Sequence, residues 1–276
     1  LSLHDALPIC TSHFLGQNFA RGCNIQFTDR DGEVKHPHTT SWGVTTRLVG
    51  GVIMAHGDDD GLRLPPRIAP YHVVIIPVIP KAELEEAVLA AAKELQDQLN
   101  ELNYHRVPIC VHLDKRDLRG GEKNWDWIKK GVPLRIEIGP RDLESGTVMV
   151  ARRDRPHKEK RAVAMKDLSA SLVPLLDEIQ ANYLAQAKNF RKEHTCLNIE
   201  TWHQFKAFFT PKNAEKPEIH GGFVRAKWCG DEESVSLLDE LKVTIRCLPL
   251  DQDGKEGRCV LTGKPATLDA IFAKAY

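Results

Sequence analysis

"HVVIIPV" (His72–Val78) followed by "KAELEEAVLAAAKELQDQLNELNY" (Lys81–Tyr104) decides the fold class. The first run is short, apolar and β-branched, the signature of a strand buried on both faces. The second places Leu84, Val88, Ala91, Leu95, Leu99 and Leu102 on one helical face. A buried strand feeding an amphipathic helix is the opening of an α/β unit. Further strands are expected at "RVPICVHL" (106–113), "PLRIEIG" (133–139, alternating and half-buried) and "TVMVARR" (147–153). A second long helix is expected from about Lys166 to Arg191, carrying Pro174, with "RRDRPHKEKR" (152–161) as the loop before it. Strand, helix and strand in this order argue for an α/β module with a partly parallel sheet.

Outward from this block, residues 11–70 read as strand, turn, strand and helix. "TTRLVGGVIMAHG" (45–57) is the helix, opened by a Thr pair and closed by Gly57, and Pro65, Pro66 and Pro70 mark a stiff linker. Beyond the second long helix, the chain alternates short helices ("WHQFKAFF", "SVSLLDELK") with extended runs ("GGFVRAKW", "VTIRCLPL", "GRCVLTGKPA"), which is α+β in appearance. There are no internal repeats and no low-complexity segments.

The 276 residues, 42% hydrophobic and 28% charged, describe a globular chain and exclude wholesale disorder. No apolar run reaches the roughly eighteen residues a membrane span requires. "LSLHDALPIC" lacks a basic start and is interrupted by Asp5, which makes a poor signal peptide. Cys10, Cys23, Cys110, Cys196, Cys229, Cys247 and Cys259 are odd in number and scattered, which fits a reducing cytoplasm better than a disulfide framework. Formal net charge is zero, yet Arg106–Arg161 holds fifteen Lys/Arg against nine Asp/Glu, a local surplus of +6. That stretch is either one polyanion-facing module or a solvated charged face.

Four motifs in order, "TSHFLGQNF" (11–19), "SWGVTTRLVGGVIMAHGDDDGLRLPPRIAP" (41–70), "GGEKNWDWIKKGVPLRIEIGPRDL" (120–143) and the terminal "FAKAY" (272–276), resemble the prolyl-tRNA synthetases. The similarity is to the class II branch with a C-terminal extension, and it covers Thr11 to Tyr276. It implies a multidomain α/β and α+β fold. Residues 11–70 would be the tail of an antiparallel class II catalytic core, 71–191 an α/β anticodon-binding domain with a mixed sheet, and 192–276 a small α+β C-terminal domain. Residues 1–10 do not match; Pro8 stands where the family has a nucleotide-contacting Gln, and a non-native leader is expected there. The family's dimer-forming motif 1 and its ATP- and proline-holding motif 2 lie upstream of the matched part, so the chain alone is expected to be inactive.

The implied reaction joins ATP, with Mg2+, to L-proline as an adenylate and passes the prolyl group to proline tRNA. Negative charge grows on a pentacovalent phosphorus, so fixed cations and positioning carry the catalysis. By resemblance Arg47 is the motif 3 arginine, catalytic and ATP-binding, with Thr11, Thr45 and Thr46 beside the nucleotide. A guanidinium stays charged, stacks on adenine and forks onto phosphate oxygens. The competing reading of Arg47 is a helix-surface ion pair, and Thr45 and Thr46 either touch ligand or cap the helix. His13, Trp42 and Gly43 would border proline; His13 as a satisfied strand histidine and Trp42 as ordinary core are the alternatives. Asp58, Asp59 and Asp60 are adjacent and are read as a solvated turn, not a metal site.

For the anticodon, Arg135, Glu137, Arg141, Arg152 and Arg153 are the candidates, on or beside the last two strands, because splayed bases are read along their edges. Each is equally a surface charge, and Trp125 and Trp127 are read as core. In the family's extension zinc is held by C-x4-C and C-x2-C; here Ser234 and Thr262 replace the second and fourth cysteines after Cys229 and Cys259. No zinc or other protein-held metal is expected, because two thiolates with two hydroxyls do not close a tetrahedral site. Packing of Leu237, Leu238, Leu241, Val243 and Ile245 would hold that domain instead. The resemblance also implies that Tyr276 turns back toward the active site, that the whole enzyme is a homodimer, and that no DNA is bound. The alternatives are a non-catalytic tRNA- or RNA-binding protein built on the anticodon module, or a class II synthetase for threonine, histidine or glycine.

Overall fold

A computed structural model describes residues 10–211 and 222–274. The expected leader and the terminal Tyr276 therefore lie outside the described residues, apart from Cys10. By its contacts the chain divides into two compact units, Leu1–Gly43 with Lys188–Tyr276, and Val44–Ala187.

The chain opens with β1 (Cys10–Gly16), α1 (Asn18–Gly22), β2 (Phe27–Thr28), β3 (Val34–Lys35), β4 (Thr39–Val44) and α2 (Arg47–His56). β1 pairs with β4, and β2 with β3, each a two-stranded sheet. Thr46 precedes α2 with helical dihedrals and makes no side-chain cap; the carbonyls of Thr45 and Thr46 accept from Leu48 and Val49 at 3.1 and 3.0 Å instead. At the other end Gly57 N–H donates to the Ile53 carbonyl at 2.7 Å.

The next elements are β5 (Val73–Pro77), α3 (Glu85–Asn100), β6 (Asn103–Tyr104), β7 (Val107–Pro108), β8 (Val111–Leu113), α4 (Gly120–Lys129) and β9 (Leu134–Ile138). They continue with α5 (Pro140–Ser145), β10 (Thr147–Arg152), β11 (Arg161–Ala164) and α6 (Met165–Glu193). Five strands form one mixed sheet in the order β11-β10-β9-β5-β8, parallel across β8, β5 and β9 and antiparallel across β9, β10 and β11. One face carries Val73, Ile75, Leu134, Ile136, Val148 and Val150 and is covered by α3 and α6 through Leu95, Leu99, Leu172 and Leu176. Each such side chain contributes on the order of 1.5–3 kcal/mol by leaving water. On the other face Val74 and Ile76 pack against Trp127 of α4 and Val132.

Several expectations change here. β9 is central, so Leu134, Arg135, Ile136 and Ile138 are all buried where alternation suggested a half-exposed strand. "RVPICVHL" is divided: Val107–Pro108 turns back on Asn103–Tyr104, and only Val111–Leu113 enters the main sheet. The charged loop ends in a fifth strand, β11. The proline-rich stretch is not a free linker. Leu62 and Leu64 N–H donate to the carbonyls of Lys129 and Gly131 at 2.9 and 3.1 Å, and Pro65 and Pro66 are buried. The two segments lie so close that a Cβ on Gly131 (φ 72°) would meet the Leu62 carbonyl carbon at 2.6 Å.

The last elements are β12 (Thr195–Cys196), α7 (Trp202–Phe209), β13 (Phe223–Trp228), α8 (Glu232–Asp239), β14 (Val243–Cys247), β15 (Gly257–Arg258), β16 (Pro265–Ala266) and β17 (Leu268–Lys274). Their sheet runs β12-β13-β17-β14, and Phe205, Phe209, Val224, Leu238, Val243 and Phe272 form its core. Of the residues expected to hold this domain, Leu238, Leu241 and Val243 are buried, and Leu237 and Ile245 pack against them.

Candidate nucleic-acid interface

The second face of the mixed sheet carries charge as well as Val74 and Ile76. Their register partners on β9 are Arg135 and Glu137, and Glu137 lies beside Met149 of β10. Asn124 on α4 joins the two charges. Arg135 Nε donates to Asn124 Oδ1 at 3.3 Å, and Asn124 Nδ2 donates to Glu137 Oε1 at 2.6 Å and to the Gly120 carbonyl at 3.1 Å. With its oxygen turned to Arg135, the Asn124 amide has only its NH2 to offer Glu137. Lys160, just ahead of β11, donates to both Glu137 oxygens at 2.7 Å. The Glu137 carboxylate is thereby fixed in place, 14% exposed, under a lysine that is 36% exposed.

Asn124 is followed by Trp125, which pairs with an aromatic ring from the segment ahead of β11. Trp125 is 43% exposed, and its ring stands 5.3 Å from that of His157. His157 Nδ1 in turn lies 3.3 Å from Asp60 Oδ2. Trp127, two residues on, is buried and donates through Nε1 to Asp114 Oδ2 at 2.8 Å. Trp127 is core as expected; Trp125 is exposed, because residues two apart on a helix face nearly opposite ways.

The five anticodon candidates separate by burial. Arg135 is 1% exposed, and its Nη1 and Nη2 have no hydrogen-bond partner among the described residues. Burial, reinforced by the neighbouring Arg153 charge, pulls its guanidinium down to about 10. Arg153 is 5% exposed; its two terminal nitrogens grip Asp58 at 2.8 and 2.5 Å, while Nε donates to the Ile128 carbonyl. Arg152 forks onto buried Asp154 at 2.9 and 2.8 Å and also reaches Glu178 at 2.6 Å. Arg141, in the first turn of α5, is exposed. Arg141 is thus open to solvent, Glu137 and Arg152 are half-buried and engaged by neighbouring side chains, and Arg135 and Arg153 are buried.

The aspartate turn is not simply solvated. Asp58 bonds Arg153 and lies 3.8 Å from Arg63 Nε. Burial pushes its carboxyl up, but the Arg153 hydrogen bonds and charge outweigh this and hold it below the usual carboxylate range.

The other predicted residues fall in both units. In the first, Thr11 and Gly43 lie together on the β1–β4 pair, where a Cβ on Gly43 would stand 3.2 Å from Thr11 Oγ1. His13 is exposed and Trp42 is 74% exposed, so Trp42 is not a core residue among the described contacts. In the second, Thr45, Thr46 and Arg47 are exposed at the start of α2, and Arg47 has no ion pair among the described residues. Around the former cysteine pattern, Trp228 Nε1 donates to Ser234 Oγ at 2.7 Å, and Ser234 Oγ donates to the Asp231 carbonyl at 2.6 Å. Cys229 Sγ lies 3.5 Å from Thr262 Oγ1. The hydroxyls are engaged in hydrogen bonds, and this donor set does not fit a structural zinc.

Asn124 and Lys160, which hold the Glu137 carboxylate, and Trp125 and His157, which pair with each other, were not among the residues singled out for this face. The visible signal was "KNWDW" (123–127), whose two tryptophans, two residues apart on one helix, cannot share a face.

Residues 72–173 match the anticodon binding domain family, and residues 214–276 match the prolyl-tRNA synthetase C-terminal family. The chain is 58% identical over 271 residues to a proline–tRNA ligase of Protochlamydia amoebophila, covering 98% of the chain and 54% of that protein. Identity to proline–tRNA ligase 2 of Anaeromyxobacter dehalogenans is 48% over 276 residues, covering 98% and 54%. To the proline–tRNA ligase of Bdellovibrio bacteriovorus it is 45% over 271 residues, covering 98% and 53%. The chain spans about half the length of the curated relatives it matches, and over that span the resemblance to prolyl-tRNA synthetases is established. Among the described residues no helix is long and apolar enough to cross a membrane.

Proposed function

We propose that the chain is the C-terminal part of a proline–tRNA ligase, and that the Glu137 face of its mixed sheet reads the anticodon of proline tRNA. One observation carries the reading: α4 and the segment ahead of β11, which hold the Glu137 carboxylate through Asn124 and Lys160, are the same two segments that bring Trp125 and His157 together as an aromatic pair. Guanine offers two N–H donors side by side, and the Glu137 carboxylate accepts both when the base displaces the exposed Lys160 ammonium, while an exposed aromatic ring takes the base face. Arg141 supplies a surface cation for the backbone. Arg135, Arg152 and Arg153 act from within, holding Asn124, Asp154 and the Asp58 turn where the site needs them.

In the whole enzyme the reaction is ATP-dependent attachment of L-proline to its tRNA through prolyl-adenylate, with magnesium arriving on ATP. Arg47, exposed and free of ion pairs among the described residues, would fork onto phosphate and stabilise the charge that grows there. Thr11, Thr45 and Thr46 offer hydroxyls to the nucleotide. Gly43 lets the strand backbone approach Thr11 closely, and the exposed Trp42 ring, with His13, borders proline. Residues 11–70 act as the catalytic tail, 71–191 as the anticodon reader and 192–276 as a support whose fold rests on apolar packing. A cytoplasmic homodimer is the expected setting.

The test is binding of the purified chain to proline tRNA and to the same tRNA with its anticodon guanines replaced, across a salt series. Tighter binding of the unaltered tRNA at every salt supports the reading. Equal affinities with a steep salt dependence would leave only phosphate contacts and favour a nonspecific RNA-binding module.

A further inference from the structure

The sheet face opposite Glu137 also has an opening, at the β11 edge. A cavity of about 210 Å³ lies there; apolar Val150, Val163 and Leu175 line it together with Ser171 and the exposed cations Arg155 and Arg161. Register explains the arrangement. Arg161 pairs with Val150, and Val163 with Val148, so Arg161 shares the apolar face of the sheet. Lys160, one residue earlier, reaches Glu137 on the other face. Adjacent cations at the start of the edge strand thus serve opposite faces of the sheet.

The lining charges are not all equivalent. Arg152 also lines the cavity but is committed to Asp154 and Glu178. Arg155 and Arg161 are exposed and have no ion pair among the described residues; Glu159 is the one acidic group in the lining. The occupant these features suit has a flat apolar body and a single anionic group. Its volume falls below the roughly 300 Å³ at which drug-sized pockets begin, so it is one ring system and not a whole folded ligand. A bare phosphate would leave the valine and leucine side chains unused, and an arginine lining repels cations.

We infer that this cavity takes a second nucleotide of the same single-stranded RNA, its base on Val150, Val163 and Leu175 and its phosphate between Arg155 and Arg161. This rests on the anticodon reading above. Because β11 is the sheet edge, a single strand can pass around it and place one base on each face. Base stacking and phosphate binding then add to what Glu137 reads.

The experiment measures affinity of the whole chain for proline tRNA and for its anticodon-substituted form across a salt series, in the wild type, Arg155→Gln/Arg161→Gln and Ser171→Leu. The double variant is expected to bind both RNAs more weakly and to lower the slope of log affinity against log salt by about 0.7 for each phosphate it no longer neutralises. Ser171→Leu fills the cavity without changing charge; it is expected to weaken binding roughly five- to hundred-fold with the slope unchanged. Variants with wild-type affinity and slope, in a chain that still discriminates the anticodon, would overturn the cavity and leave the anticodon reading standing. Loss of discrimination in the wild type, with both variants still impaired, would remove the anticodon reading and keep an RNA site at the cavity. A wild-type chain that binds neither RNA would remove both.

Discussion

Replacing Asp58 by alanine tests whether the aspartate turn is an anchor. In the native protein the Asp58 carboxylate is the counter-ion of Arg153, which is 5% exposed, and it also lies near Arg63. Arg135, another buried cation, stands close enough for the Arg153 charge to lower its affinity for a proton. Asp58→Ala therefore strands a buried guanidinium beside a second one. Breaking a buried pair by removing one partner costs about 3–5 kcal/mol. Asp58 itself is 35% exposed, so the pair is only partly out of water and the lower end applies, about 3 kcal/mol. The reverse change, Arg153→Met, leaves an aspartate that can hydrate and still faces Arg63; its cost is about 1–2 kcal/mol. At roughly 2–4 °C per kcal/mol for a domain of this size, Asp58→Ala lowers Tm by about 6–12 °C.

The pH dependence follows from the direction of the shift. The folded carboxyl lies below its unfolded value of 3.8, so Asp58 stabilises fully above that value and its contribution is lost as pH falls through the lower, folded one. Urea unfolding of wild type, Asp58→Ala and Arg153→Met, followed by circular dichroism at neutral pH and then in acid, reads both effects. The reasoning is refuted if Asp58→Ala stays within about 1 kcal/mol of wild type, if Arg153→Met costs as much, or if the wild-type advantage persists undiminished in strong acid.

Trp125→Ala is expected to weaken binding of proline tRNA by roughly 1–3 kcal/mol while leaving the unfolding midpoint nearly unchanged, since the ring is exposed; fluorescence titration and thermal melts separate the two. Tyr104 and Tyr183 are both raised to about 12 by burial, so ultraviolet titration should show two of the four tyrosines ionising late. Being raised, they favour the fold below pH 10 and that contribution is lost as pH rises from 10 to 12; a chain equally stable across that window would contradict it. Phe205→Ala removes a fully buried ring that meets Phe209 and Phe272 at 4.9 and 5.2 Å, and should cost about 3–5 kcal/mol in calorimetric unfolding.

Local pattern was enough for β5 and α3, because an apolar β-branched run and a helical stripe are each decided by burial along one element. β9 misled because Arg135 counts as polar in any alternation, yet the strand is central and its guanidinium is buried with Asn124. β11 is four residues with little propensity of its own, and pairing with β10 is what makes it a strand. The site divided along the same line. Glu137 and Arg141 were named from the resemblance; Glu137 proves half-buried and held by its neighbours, and Arg141 exposed. Asn124 and Lys160 were not, since what marks them is a shared bond to a carboxylate 13 and 23 residues away. Asp58 was taken for a solvated residue because its partner stands 95 residues on.

The two halves of the proposed activity differ in how far these residues can support them. The mixed sheet has helices on both faces and a continuous core, so the Glu137 site rests on an element that is stable where it stands. The opposite holds for the residues assigned to ATP and proline. A two-stranded sheet is marginal alone, and β1–β4 leaves Phe14 and Trp42 each 74% exposed. α2 buries none of its residues, with Val49 65% and Met54 74% exposed, although a helix apolar on this scale belongs in an interior. Surfaces of this kind mark places where further protein packs. Adenylate chemistry also needs donors held to within about half an ångström of their working positions, which exposed, thinly supported elements do not provide. The proposed RNA reading therefore rests on a well-supported sheet, whereas the residues proposed for adenylate chemistry stand on elements whose apolar side chains are largely exposed.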